Sequence, residues 1–217
     1  MALQPIRAEI LAVKLIPNVA PDLAGKLKLK PDQRSIGMLT CTIDDAGYTA
    51  LDEATKKAVV EVVYARSFYA GSAHASGPLS GEFLGIIAGP TPAEVKSGLE
   101  AAICCLQEDA CFYTGDDEGK IAFYPHVISR TGSYLSNLAG VPEGQPLAYL
   151  IAPPIESVYS VDAALKAADV ELKVWFGPPS ETNFGGALLT GSQSACQAAA
   201  DAFKEAVLSV ARVPRDF

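Results

Sequence analysis

Residues 52–62 read "DEATKKAVVEV", and residues 162–172 read "DAALKAADVEL". Aligned without a gap, six of the eleven positions are identical, at an offset of 110. No other feature constrains the fold as strongly. A chain of 217 residues that carries one segment twice at this spacing divides naturally into two related domains.

The likeness extends in both directions. Upstream, "GMLTCTIDDAGYTAL" (37–51) faces "LAYLIAPPIESVYSV" (147–161). Each is an apolar run followed by a polar turn and a helix start. Downstream, "GEFLGIIAGPTPAEVKSGLEAAI" (81–103) faces "GGALLTGSQSACQAAADAFKEAV" (185–207). Each is an apolar strand ending in Gly, then a turn, then a helix. Gly89 faces Gly191, so the offset has fallen to 102. The first copy therefore holds about eight extra residues, in "ARSFYAGSAHASGPLSG" (65–81). A Gly, Ala and Ser-rich loop of this length is commonly functional.

Local signals give the elements. Residues 52–63 read as a helix running into a strand, with Asp52 favouring the helix N-terminus. Residues 91–108 carry Pro and Glu in a first helical turn, and 194–213 form an Ala-rich helix. Each half reads β–α–β–β–α, preceded by a strand and a short helix at 9–27 and 123–140. The polar turn region 110–122 is the expected boundary, giving domains 1–112 and 113–217.

Composition narrows the function. A net charge of −8 and the lack of a Lys/Arg-rich block argue against nucleic acid. Charged residues make up 19% of the chain, a low share that fits a surface given over to protein contacts. No apolar run of about 18 residues is present, and the start lacks a signal-peptide pattern. A cytoplasmic setting with no membrane span is expected. The five cysteines (Cys41, Cys104, Cys105, Cys111, Cys196) show no CxxC and read as small buried hydrophobes in a reducing compartment.

The repeated "DAALKAADVEL" and "GALLTGSQSACQAAADAFKEAV" segments resemble the bacterial microcompartment shell family. Two copies, each with its extra strand and helix leading, resemble the tandem, circularly permuted branch of that family. The segments "RSIGMLT", "DDAGYTALDEATK", "EVVYARSFYAG", "SRTGSYLS", "AYLIAPP", "SETNF" and "LTGSQSAC" carry the likeness to its ethanolamine-utilisation members. The resemblance implies an α/β (α+β) fold of two ferredoxin-like shell domains. It also implies a homotrimeric pseudo-hexamer, with two domains per chain and six per ring. Such a tile packs in a flat lattice with other shell proteins, around a central pore that opens and closes. The implied location is a microcompartment shell in the cytoplasm. A small-amine sensor built from duplicated ferredoxin-like domains, with no lattice, is the alternative.

Catalysis is not expected. His74 and His126 are the histidines a Ser–His–acid constellation would need, but no GxSxG, HExxH, GxGxxG or GxxxxGK[ST] occurs. No cofactor is required by any motif. The adjacent carboxylates Asp44 and Asp45 read either as a solvated turn or as a cation site, since two like charges favour a cation between them. The family resemblance implies the latter, an ethanolamine site made by Asp44, Asp45, Glu82, Phe112, Thr182, Asn183 and Phe184. Carboxylates would neutralise the ammonium, and Thr and Asn would bond the hydroxyl. Asp44, Asp45 and Glu82 are also candidate zinc ligands, ranked below the amine. Cobalamin fits the family but has no motif here. The loop holding Ser67, Phe68, Tyr69, Ala70, Gly71, Ser72 and His74 is the expected gate. The resemblance also marks Lys56 and Lys166 as lattice-edge residues; read alone, each is an ordinary exposed helix lysine.

Overall fold

The computed structural model describes residues 3–68, 79–114, 121–180 and 183–215. The first elements in chain order are β1 (Gln4–Arg7), β2 (Ile10–Ile16), α1 (Pro21–Lys26), β3 (Ser35–Cys41) and α2 (Asp44–Lys57). They are followed by β4 (Glu61–Ser67), β5 (Phe83–Gly89), α3 (Pro92–Glu108) and β6 (Cys111–Thr114). Then come β7 (Ala122–Ile128), α4 (Ser133–Ala139), β8 (Leu147–Ala152), α5 (Pro154–Ala167), β9 (Val170–Phe176), β10 (Gly185–Gly191) and α6 (Gln193–Arg212). The mixed α/β order expected from the repeat is present twice, from β2 to α3 and from β7 to α6.

These elements group into two compact units. One holds residues 7–110 together with 132–135, and the other holds 1–6, 111–131 and 136–217. The grouping departs from a single cut in the sequence. The start of the second half's short helix is counted with the first unit, and the N-terminal strand with the second.

In the first unit, β2, β3, β5 and β4 form an antiparallel sheet in that order. Helices α2 and α3 pack on each other and on one face of this sheet. Ala24 of α1 and Leu27 at its C-cap join Ile36, Met38 and Ile86 in a separate apolar cluster. A sheet covered on both faces needs apolar residues at consecutive positions, which is why "FLGIIAG" does not alternate. Gly37 lies under α3, where a Cβ would come within 2.7 Å of Leu99 Cδ1 and Val95 Cγ1. The missing side chain lets helix and sheet approach.

In the second unit the sheet order is β1-β6-β7-β8-β10-β9. Phe123, Ala148, Leu150, Ala187 and Leu189 from the strands meet Val161, Ala164, Cys196, Ala199 and Phe203 from α5 and α6. The same cap opens the last helix of each repeat. Thr91 Oγ1 accepts from Glu94 N at 3.2 Å, and Ser192 Oγ accepts from Ala195 N at 3.1 Å.

Two sequence expectations are corrected. Residues 111–114 are a strand, β6, paired to β7 through Tyr113 and Thr114, not part of a polar turn. Asp52 does not start a helix. It lies well inside α2, which begins at Asp44 because the residues from there onward already form the buried face of the helix.

Candidate functional site

Strand β3 runs into α2 through Thr42 and Ile43, which delivers Asp44 and Asp45 to the first turn of the helix. The pair is not a solvated turn. Both are buried, Asp44 at 7% and Asp45 at 8% exposure, and Ile43 ahead of them is extended. Ile43 supplies no side-chain cap, so the carboxylates at this helix start face the positive end of its dipole. Asp44 Oδ1 also accepts from Asp45 N at 2.9 Å.

Glu82 enters the same neighbourhood from the strand side. Its amide donates to Cys41 O at 2.9 Å, and its carbonyl accepts from Phe68 N at 3.1 Å. The chain is thus pinned at both ends of the Gly, Ala and Ser-rich loop. Burial first, then the negative charge of Asp44, raises the Glu82 carboxyl above its ordinary range. Burial likewise pushes the Cys41 thiol up to about 12, with smaller contributions from Asp44 and Glu82. Cys41 is therefore a protonated thiol at neutral pH, donating to Ile43 O at 3.2 Å.

Two neighbours of this cluster escaped the sequence reading. Tyr48 packs edge-on against Phe83 with ring centroids 4.9 Å apart, and its hydroxyl bonds Ser67 Oγ at 2.6 Å. Gly81 takes φ +62°, and a Cβ there would fall 2.1 Å from Cys41 O. The one usable signal was Tyr48 on the apolar side of an otherwise small-residue helix.

The other candidate residues lie in the second unit. Phe112 of β6 stacks on Tyr124 at 4.9 Å and meets Phe184 edge-on at 6.1 Å. Ser180 N donates to Phe184 O at 2.8 Å, and Asn183 takes φ +68°. Asparagine is among the residues that tolerate this left-handed conformation. Of the seven proposed ligand contacts, Asp44 and Glu82 are thus neighbours in one unit, and Phe112 and Phe184 are neighbours in the other. Thr182 lies outside the described residues, as do Tyr69, Ala70, Gly71, Ser72 and His74 of the expected gate. Ser67 and Phe68, at the loop's start, are partly buried.

The acidic cluster is not arranged as a metal centre. Among the described residues, no group of three or more His, Cys, Asp and Glu side chains is placed to hold a metal ion. His126 stacks on Tyr124 at 5.1 Å within the sheet.

Lys56 and Lys166 occupy matched positions in α2 and α5 but different surroundings. Lys56 is ion-paired with Glu53 and lies 3.7 Å from Asp52, with a side chain 23% exposed. Lys166 is 75% exposed and pairs with Asp162 at 2.6 Å.

Comparison with known proteins places this architecture. The BMC domain model matches residues 35–113. The microcompartment shell protein EutL of Clostridium perfringens is 58% identical over 212 residues, 98% of each chain. EutL of Escherichia coli is 53% identical over 213 residues, covering 98% of this chain and 97% of its own. The crystal structure of ethanolamine utilization protein EutL from Leptotrichia buccalis matches at a TM-score of 0.97 and 59% identity, over 100% of both chains. Identity this high over the full length, on the same two-unit fold, leaves one reading of its kinship: this chain belongs to the EutL family of bacterial microcompartment shell proteins.

Proposed function

We propose that the chain is a non-catalytic wall tile of an ethanolamine-utilising microcompartment. Three copies form a six-unit ring, set among other shell proteins, with a central passage governed by the loop after Ser67 and Phe68. The observation that carries this reading is the duplication itself. Two like units in one chain supply a six-unit ring with three copies, and they let alternate units differ.

The same tile binds ethanolamine at Asp44, Asp45 and Glu82, with Phe112, Thr182, Asn183 and Phe184 as the further contacts. Supporting this is the electrostatics of the first unit. Burial and the negative charge of Asp44 raise the Glu82 carboxyl, and a primary ammonium placed beside these acids would be held by charge-assisted hydrogen bonds. Because Glu82 is hydrogen-bonded to Phe68 at the root of the loop, a ligand held there favours one loop arrangement over another.

Calorimetry with ethanolamine tests the site. Wild type should bind in the micromolar to millimolar range, and Asp45→Asn and Glu82→Gln should each weaken binding roughly tenfold or more. Undiminished binding in both variants removes the site from this position. Electron microscopy of concentrated protein tests the tile: flat sheets are expected, and a soluble amine-binding particle without them favours a sensor.

A further inference from the structure

Charge is shared unevenly between the two repeats. Residues 14–34 hold five of the chain's 17 Lys and Arg but only two of its 25 Asp and Glu, a stretch of net +3 in a chain of net −8. The five are Lys14, Lys26, Lys28, Lys30 and Arg34, and all are exposed. Elsewhere among the described residues every lysine is ion-paired: Lys56, Lys57, Lys96, Lys166, Lys173 and Lys204. In this stretch Lys30 pairs with Glu61. Lys14, Lys26 and Lys28 form no ion pair among the described residues, although Asp22 and Asp32 are near them in sequence.

The fold sets these cations on one side. Leu27 and Leu29 pack on the apolar cluster of Ile36 and Ile86, so Lys26, Lys28 and Lys30, which alternate with them, stand outward. Lys14 lies opposite Met38 in the β2–β3 register, and residues opposite one another project from the same face of a sheet. Met38 packs on the same cluster, so Lys14 emerges on the sheet face that α1 covers. Leu23, 43% exposed, is three residues before Lys26 on α1 and gives the patch an apolar member.

Lys28 is held there at a conformational cost. It takes φ 55°, in the left-handed region, and Gly140 takes 64° at the matched place after α4. The two helix ends share a bond pattern, Leu29 N to Ala24 O and Val141 N to Ser136 O, each at 3.0 Å. That pattern aligns Lys26, Lys28 and Lys30 with Leu138, Gly140 and Pro142. The second repeat thus has no cation at any of the three positions. Its matched residues are exposed as well, so the surface is open in both repeats and charged in one. Glycine is the residue this backbone favours, and the first repeat carries a lysine instead.

We propose that this patch of the first repeat is a docking surface for an acidic protein segment, which sets carboxylates beside Lys14, Lys26 and Lys28 and an apolar side chain on Leu23. Unpaired ammoniums along a short stretch suit a run of carboxylates, each pair adding a charge-assisted hydrogen bond. A long nucleic acid is disfavoured, because the rest of the chain carries the whole negative excess and repels it. A lone phosphate is disfavoured too, because none of these exposed cations lines a buried cradle. In a three-copy ring the cationic patches alternate with uncharged ones, so the partner docks at every second unit. That spacing rests on the tile reading, and the docking itself does not.

Fluorescence anisotropy with the full-length chain and a labelled peptide, GELEELEG, tests the surface. Binding should saturate at one peptide per chain and weaken on the order of tenfold between about 50 and about 300 mM salt. Lys26→Glu with Lys28→Glu should weaken it roughly tenfold or more. Lys28→Gly should weaken it about threefold without lowering the melting temperature, since glycine suits that backbone. Lys96→Gln, on α3, should leave it unchanged within about twofold. No binding to wild type at about 1 mM peptide overturns the proposal. So does undiminished binding by the double variant or by Lys28→Gly, or equal binding of the reversed-charge peptide GKLKKLKG. Tighter binding of a short oligothymidylate would make the patch a nucleic-acid surface, and displacement of the peptide by equimolar inorganic triphosphate would make it a small-anion site. Either result overturns the docking of an acidic segment.

Discussion

Asp52 and Leu135, 83 positions apart in the chain, are joined by a 2.8 Å bond from the Leu135 amide to a fully buried carboxylate oxygen. The second oxygen holds the Gly132 amide, so this one side chain orders both ends of a short segment. Asp52→Ala leaves two amides without an acceptor. It should lower unfolding stability by about 2–4 kcal/mol in urea titration. Asp52→Asn keeps one acceptor and should lose roughly half as much.

Lys56 and Lys166 should respond differently to the same substitution. Lys166→Asp changes an exposed position, so stability should stay within about 0.5 kcal/mol while sheet formation is lost in electron micrographs. Lys56→Asp sets a third acid beside Asp52 and Glu53 and should cost about 1–2 kcal/mol. Sheets of normal extent in the Lys166 variant would remove its edge role.

The Glu82 carboxyl is raised, chiefly by burial and then by Asp44, so the fold favours its protonated form. Its contribution to stability is full below the ordinary carboxylate value of 4.5 and is lost as pH rises through the raised value. Glu82→Gln should therefore be more stable than wild type at pH 7, with the difference vanishing below about pH 4. Ethanolamine affinity should move the other way, falling as acid removes the negative charge. Thermal melts and calorimetry across pH 4–8 check both signs.

Gly81 holds the root of the long loop in a left-handed turn against Cys41 O. Gly81→Ala meets both backbone strain and a backbone clash. It should cost about 1–3 kcal/mol and weaken ethanolamine binding by displacing Glu82. A variant with unchanged melting and binding would show that the turn is not needed.

The repeat made the fold legible, because apolar strands, Gly ends and Thr91 or Ser192 caps are local signals that survive in both copies. The environment of Asp52 was not legible. Its partners lie far along the chain, and an acid in a helix reads as a cap until tertiary contacts are known. An acid beside Leu51 and Ala54 on the apolar side of α2 was the available clue. Asp44 and Asp45 are legible as a pair, but the residues alone leave a solvated turn and a cation site both open, since nothing local says that the two are buried. The matched lysines show the limit of a repeat: identical residues, one covered and one open.

Residues 132–135 belong by contact to the first unit and by descent to the second repeat. What was duplicated and what folds are therefore different stretches of chain. A fragment cut at the midpoint of the sequence would inherit a whole ancestral gene and an incomplete globule: Asp52 would remain without the two amides that its carboxylate receives. Shuffling half-chains between relatives should fail at this seam, and recombination sites that keep residues 132–135 with their α2 should succeed.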